Sequence, residues 1–173
     1  LCRFIGSNLS RAYAAVHPKE GPANKVVMVL PDEWKTATGD ELKQQKVKGD
    51  PVAVDFDDSK WKTIRTYSDT RNAQGLPEYF GDMWYRTTLK APKSSNNLAL
   101  HFCKADRKVT LYVNGKQVNE KELEAFRGTT IDVTGHLQPG KQNQITVKVR
   151  HIPLPELFLG GLVQPVYLIE KGK

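Results

Sequence analysis

Apolar residues recur at every second position along several short segments of this 173-residue chain. The alternating positions, in chain order, are Val27 and Val29; Leu98, Leu100 and Phe102; Val109, Leu111 and Val113; and Ile145, Val147 and Val149. Successive side chains of a β-strand point to opposite faces, so each segment predicts a strand with one apolar and one polar face. Residues 84–89 and 166–169 predict two further strands, and no long helical period competes with them.

Turn signals separate these strands. Asn114-Gly115 directly follows one strand and tolerates the positive φ of a tight hairpin, with Gln117 beginning the returning strand. Pro139-Gly140 is a second turn signal. The charged residues 119–124 predict a short helical turn. Many short strands separated by turns predict an all-β fold, an antiparallel β-sandwich.

Residues 1–24 differ from the rest and predict an N-terminal extension. Leu9, Ala12, Tyr13 and Val16 share the spacing of one helix face, so we expect a short helix there, before a β-sandwich domain over residues 25–173. A helix this short is marginal alone and needs a surface to pack against. Because the chain opens on Leu1 rather than methionine, we expect it to be a piece of a longer protein.

The net charge of +7 raises the question of an anionic partner, such as nucleic acid, a lipid headgroup or an acidic polysaccharide. The 26 basic residues are spread along the chain without a run of five, which favours a solvated surface. No apolar stretch approaches the ~18 residues of a membrane span. We therefore expect neither a nucleic-acid nor a membrane partner.

Catalytic signatures are missing from the sequence. Two cysteines are too few for a disulfide framework, and Cys103, at the end of an apolar alternation, is expected in the core. The four histidines are scattered without a nucleophile motif and are expected at the surface or as caps: His17, His101, His136 and His151. The sequence therefore predicts no enzyme activity for this chain alone.

The segment between Pro31 and Asp82 is irregular and carries three acids in four positions, Asp55, Asp57 and Asp58. Short acids favour Asx turns, whereas three carboxylates together also suit calcium. The glycine and distal glutamate of a helical calcium loop are missing, so we favour turns and expect no cofactor, with structural calcium as the alternative. The tryptophans Trp34, Trp61 and Trp84 are expected in the core.

Motifs in both halves of the chain share one order. The first are Leu30-Pro31-Asp32-Glu33-Trp34, Asp55-Phe56-Asp57-Asp58-Ser59-Lys60-Trp61, and Trp84-Tyr85-Arg86 ending at Pro92. The later ones are Leu100-His101-Phe102, Leu111-Tyr112-Val113-Asn114-Gly115, Ile131-Asp132-Val133-Thr134 with Leu137, Pro139-Gly140 with Asn143, and Gly160-Gly161-Leu162 through Pro165-Val166-Tyr167-Leu168. Over residues 30–169 the pattern resembles the sugar-binding jelly-roll domain of glycoside hydrolase family 2 enzymes, within the galactose-binding-domain-like superfamily.

This resemblance implies a jelly-roll fold and a link to carbohydrate chemistry. The catalytic carboxylates of such hydrolases lie in a separate barrel domain, for which this chain has no room. Sugar binding needs less: an aromatic face against the pyranose ring and planar polar groups beside it. Loop residues of these types are the candidate ligand-binding residues: Tyr79, Phe80, Asp82, Phe126, Arg127, Glu156 and Phe158.

We therefore expect a non-catalytic carbohydrate-binding or accessory module of a larger extracellular or periplasmic carbohydrate-active protein. Its partner would be a glycan or a neighbouring catalytic domain. The first alternative is a purely structural domain that supports a glycoside hydrolase catalytic domain. The second is a small esterase- or lyase-like enzyme, which the missing motifs disfavour.

Overall fold

The computed structural model describes residues 24–44, 49–66, 75, 79–94, 97–105, 108–122, 128–151 and 161–172. In this part of the chain the strands are β1 (Lys25–Val29), β2 (Glu33–Thr38), β3 (Lys62–Arg65), β4 (Gly81–Lys90), β5 (Leu98–Ala105), β6 (Lys108–Val113), β7 (Lys116–Glu122), β8 (Thr129–Asp132), β9 (Gln142–His151) and β10 (Leu162–Glu170), and one helix, α1, spans Gly39–Gln44. Two antiparallel sheets result, ordered β1-β10-β5-β8 and β3-β2-β4-β9-β6-β7. The predicted antiparallel β-sandwich is confirmed.

The main core lies between the two sheets. Leu98, Leu100 and Phe102 of β5 are buried in one cluster with Val147 and Val149 of β9. Their period-two spacing puts them on the inward faces, as the sequence predicted. Burial of these apolar surfaces is the main force that holds the two sheets together.

The predicted turns are present. Asn114 and Gly115 have φ values of 51° and 80°, and they connect β6 to β7. Gly140 follows Pro139 with a φ of 70° in the turn before β9. The helical turn predicted over residues 119–124 is wrong for residues 119–122, because these residues belong to β7, which pairs with β6 as far as Lys108 and Glu122. Residues 123 and 124 lie outside the described residues.

A bulge changes the simple alternation expected for β1. The register with β10 shifts between Val26 and Met28. As a result Val27 and Met28 both pack against the main core, whereas Val29 packs against a second cluster that contains Val26. A bulge adds one residue to one strand, so residues on its two sides change faces.

The irregular segment predicted between Pro31 and Asp82 contains β2, α1 and β3. The start of α1 is a capping box: Thr38 Oγ1 accepts from the Glu41 backbone N–H at 3.1 Å, and Glu41 Oε2 accepts from the Thr38 backbone N–H at 2.7 Å. Each side chain thus accepts a hydrogen bond from the backbone N–H of the other residue. The Thr-x-x-Glu spacing in the sequence is the signal that identifies this helix start.

Residues 49–61 cover part of the outer face of the larger sheet. Phe56 and Trp61 are buried there with Ala37, and their rings pack edge to face at 5.4 Å. The Arg86 side chain, on β4, forms an ion pair with Asp58 of this segment. A third apolar cluster therefore lies outside the sandwich core.

Several single-residue expectations were right and others wrong. Trp34, Trp61 and Cys103 are buried, as predicted. Trp84 is half-buried on the outer face instead, because Met83 and Tyr85 take the inward positions beside it. His101, expected at the surface, is 1% exposed, and its Nδ1 lies 2.9 Å from Thr130 Oγ1.

The helix predicted within residues 1–24, with Leu9, Ala12, Tyr13 and Val16, lies outside the described residues. Among the residues that are described, no helix has the length and apolar character needed to span a membrane.

Candidate functional site

A groove of about 390 Å³ opens where β4 begins and β9 ends. We call it the Phe80 groove. Its lining residues are Gly39, Asp40, Leu42, Lys43, Pro51, Tyr79, Phe80, Gly81, Asp82, Trp84 and Arg150. The groove therefore brings together α1, the segment that begins at residue 49, and the adjoining ends of two paired strands.

Asp82 and Arg150 form the polar wall of the groove. They face each other across the β4–β9 register, and Arg150 donates from Nε to Asp82 Oδ1 at 2.7 Å and from Nη2 to Oδ2 at 2.9 Å. The hydrogen bond from Arg150 lowers the pKa of Asp82, partial burial opposes this, and the charges of Arg150, Lys148 and Lys43 lower it further. Asp82 is thus held ionised as a planar hydrogen-bond acceptor.

Phe80 supplies the aromatic surface. Its ring lies parallel to the ring of His151, at an interplanar angle of 7° and a centroid distance of 5.3 Å. His151 therefore covers part of one ring face, and 49% of the residue is exposed. The open face of Phe80 is a flat apolar surface of the kind on which the apolar side of a sugar ring stacks.

Tyr79 lies against two glycines. A Cβ on Gly81 would lie 2.6 Å from the Tyr79 hydroxyl oxygen, and one on Gly39 would lie 3.5 Å from it. Burial raises the pKa of Tyr79, and the nearby Asp40 carboxylate raises it further. The phenol therefore stays protonated at neutral pH, so its oxygen remains both a donor and an acceptor.

Trp84 also lines the groove, on the outer face of β4, and is half-buried. Its ring stacks against Tyr112 at 6.2 Å, and Lys148 Nζ lies 5.6 Å from its centroid. These contacts fix the orientation of the indole. The same contacts place a lysine charge next to the groove.

The groove joins residues that the sequence analysis singled out and residues that it missed. Tyr79, Phe80 and Asp82 come together here. The other candidates, Phe126, Arg127, Glu156 and Phe158, lie outside the described residues. Trp84 was assigned to the core, but its neighbour Tyr85 also belongs to that strand, and adjacent strand residues face opposite ways. That alternation was the available signal.

Arg150 and the helix residues Asp40 and Lys43 carried no local signal for this site. Arg150 reaches the groove only because β9 pairs with β4 in a register that puts it opposite Asp82. Pairing between strands distant in the chain cannot be derived from either strand alone.

The three acids weighed as a calcium site have separate contacts. Asp57 Oδ1 accepts from the Ser59 backbone N–H at 3.0 Å, an Asx turn, and Asp58 pairs with Arg86. Asp55 is exposed. No group of three or more metal-ligating side chains is found within the described ranges.

The two facing sheets define the chain as a β-sandwich domain. Residues 34–156 match the family described as "Glycosyl hydrolase 2 galactose-binding domain-like". This match covers most of the chain, so the chain belongs to that family, and the resemblance drawn from the motifs is confirmed. No curated protein sequence matches the chain.

Solved structures of the β-glucuronidase from Ruminococcus gnavus share the fold. Its complex with C6-substituted uronic isofagomine has a TM-score of 0.67 at 19% identity, over 87% of this chain and 30% of that chain. The apo enzyme gives 0.67 at 20% identity, and the complex with D-glucuronic acid gives 0.63 at 18%, with the same coverage. The chain thus spans about 30% of the length of these enzymes, and at such identities the likeness shows the fold alone.

Proposed function

We propose that this chain is a non-catalytic carbohydrate-binding module of a larger carbohydrate-active protein, and that the Phe80 groove is its binding site. The observation that carries the proposal is the open face of Phe80 in the same groove as the Asp82–Arg150 pair. A pyranose offers C–H groups to an aromatic ring and hydroxyls to a planar polar pair. The groove has both surfaces.

The charges in the groove support binding rather than hydrolysis. Glycoside hydrolysis needs a carboxylic acid that keeps its proton near neutral pH, which requires a raised pKa. The pKa of Asp82 is lowered by Arg150 instead. The other groove acid, Asp40, lies 3.6 Å from Lys43 Nζ.

Family membership and the size of the solved neighbours support a larger parent protein. We propose that the parent is a glycoside hydrolase whose catalytic domain neighbours this one, and that it works outside the cell or in the periplasm, where polymeric glycans are found. The alternative is a purely structural domain that supports that neighbour. The two roles differ in whether the isolated chain binds sugar.

The test begins with a broad glycan array probed with the purified chain. Each glycan that binds is then titrated calorimetrically into the unsubstituted chain and into the Phe80→Ala variant, and the two affinities are compared. We expect the substitution to weaken binding about ten-fold or more, because it removes the stacking surface. The melting temperature should stay within a few degrees, because half of the residue is already exposed.

Val54→Ala is the matched control. Val54 is 58% exposed. Among the described residues, Val54 and Phe80 are the two large hydrophobic residues that are exposed, but Val54 does not line the groove. The Val54→Ala variant should bind each glycan with the same affinity as the unsubstituted chain. If no glycan binds at millimolar concentration, the structural role replaces the proposal; if Phe80→Ala binds normally, the site lies elsewhere.

A further inference from the structure

The charges around the Phe80 groove are not balanced. Four of them form two pairs, Asp40 with Lys43 at 3.6 Å and Asp82 with Arg150 at 2.7 Å. Lys148 adds a fifth charge beside the groove: it is not among the lining residues, but its partner across the register, Trp84, is. Lys148 is half-buried on β9, with its Nζ above the Trp84 ring, and within the described ranges no carboxylate lies at ion-pair distance from it.

Strand geometry puts Lys148 next to the polar wall of the groove. Lys148 and Arg150 are two residues apart on β9 and so lie on the same sheet face. Their partners across the register are Trp84 and Asp82, which both line the groove. The Lys148 charge is close enough to help lower the pKa of Asp82.

We infer that the Phe80 groove prefers a sugar that carries a carboxylate, a uronic acid, and that Lys148 selects it. The inference rests on the proposed function and names its ligand class. The Asp82–Arg150 pair shows that this surface already holds one carboxylate by charge-assisted hydrogen bonds. A uronate carboxylate presents the same planar acceptor, and Lys148 offers the positive charge that the two pairs leave over.

A single surplus cation suits one sugar carboxylate better than a polyanion. Nucleic-acid binding depends on several phosphate contacts, each of which releases counterions. In the groove, Lys43 and Arg150 are already paired with acids. Of the aromatic residues that line the groove, Phe80 is the one that is largely exposed, whereas single-strand binders stack successive bases on a series of exposed rings.

The test compares two probes of the same shape, trigalacturonate and its methyl ester, by calorimetric titration of the full chain at low salt. We expect the acid to bind about three- to ten-fold more tightly than the ester, a difference typical of one partly exposed ion pair. The difference should shrink at 0.5 M salt. Lys148→Met keeps an apolar side chain against Trp84 and should remove the preference for the acid over the ester.

Lys90→Met is the control for net charge. Lys90 is exposed on β4, eight residues from Asp82, or about 26 Å along the strand. It should keep the full preference for the acid. An equal loss in Lys90→Met and Lys148→Met would overturn the role of Lys148.

Failure of this inference is distinguishable from failure of the proposed function. If acid and ester bind equally tightly, the preference for uronic acid is wrong and sugar binding stands. If no glycan binds at all, both are wrong. A 20-nucleotide single-stranded DNA that binds in the groove more tightly than trigalacturonate, and is displaced by it, would also overturn the inference.

Discussion

Arg86 donates from Nε to Asp58 Oδ2 at 2.8 Å, and this ion pair anchors residues 49–61 to the outer face of the larger sheet. Arg86 is 2% exposed, and it also donates to the carbonyl oxygens of Pro51 and Ala53. Its guanidinium lies 5.3 Å from the Phe56 ring centroid. One buried side chain thus satisfies acceptors along the whole segment.

Arg86→Met should therefore be strongly destabilising. It removes the donor of the Asp58 carboxylate and of the Pro51 carbonyl, whereas the Ala53 carbonyl keeps the Phe56 backbone N–H at 3.3 Å. Breaking a buried ion pair costs about 3–5 kcal/mol, and we expect the lower end because the Asp58 side chain is 28% exposed. Because Pro51 lines the Phe80 groove, ligand binding should fall as well. Urea denaturation measures the free energy of unfolding.

Arg65→Met is the matched control for that measurement. The Arg65 side chain is 70% exposed, and it pairs with Glu33 at 3.2 Å across β2 and β3. An exposed pair contributes about 1 kcal/mol or less. Equal losses in the two variants would show that Arg86 does not anchor the segment.

Asn143 holds the turn before β9 with four hydrogen bonds. Its Oδ1 accepts from Asn114 Nδ2 at 2.8 Å and from the Gln138 backbone N–H at 2.7 Å. Its Nδ2 donates to the carbonyl oxygens of Gln138 and Lys141. Asn143→Asp keeps the shape but turns two donors into an acceptor that faces carbonyls, so we expect a loss of about 3 kcal/mol or more in the free energy of unfolding.

Gln142→Glu is the control for Asn143. It is exposed on the neighbouring position, and its Nε2 donates to Thr88 Oγ1 at 2.6 Å. Its loss should stay near 0.5 kcal/mol, a value ordinary for surface substitutions. A similarly small loss in Asn143→Asp would contradict the role of the buried amide.

Asp132 should make stability depend on pH. Burial raises its pKa, but hydrogen bonds from Lys171 and Thr134 outweigh that effect, and the pKa falls to about 2 from the ordinary 3.8. The native state therefore favours the ionised form. Its stabilising contribution is complete above about pH 4 and is lost as the pH falls toward 2.

Comparison of the Asp132→Asn variant with the unsubstituted chain should show the pH range over which this stabilising contribution is lost. The Asp132 side chain is 55% exposed, so solvent screening limits the loss at pH 6 to about 1 kcal/mol. Thermal melts of both chains at pH 6, 4 and 2.5 should show the difference in melting temperature narrowing as the pH falls. A difference that stays constant across this range would mean that ionisation of Asp132 plays no part.

The isolated chain should show no turnover of chromogenic glycosides, glucuronides included. Asp82 is held ionised by Arg150 and cannot serve as a general acid near neutral pH. Activity above that of a denatured sample, lost in either Asp40→Asn or Asp82→Asn, would place a catalytic site in the groove.

Local sequence was sufficient for the strands with a clean period of two, such as Ile145, Val147 and Val149, and for the Asn114-Gly115 hairpin. Backbone alternation and glycine-like φ values are properties of neighbouring residues, so they leave a signature in the chain itself. The ordered motifs were also sufficient for the family. Tyr79, Phe80 and Asp82 were named from residue type and loop position, and their role in binding stays a prediction.

Only the tertiary structure decided which outward-facing residues of the sheets are buried and which residues come together in the Phe80 groove. His101 and Arg86 lie on outward-facing strand positions, yet both are buried, Arg86 because residues 49–61 fold over it. Arg150 reaches Asp82 through pairing of strands 68 residues apart. Such contacts depend on register and on chain segments far away in sequence, and a local pattern carries no record of either.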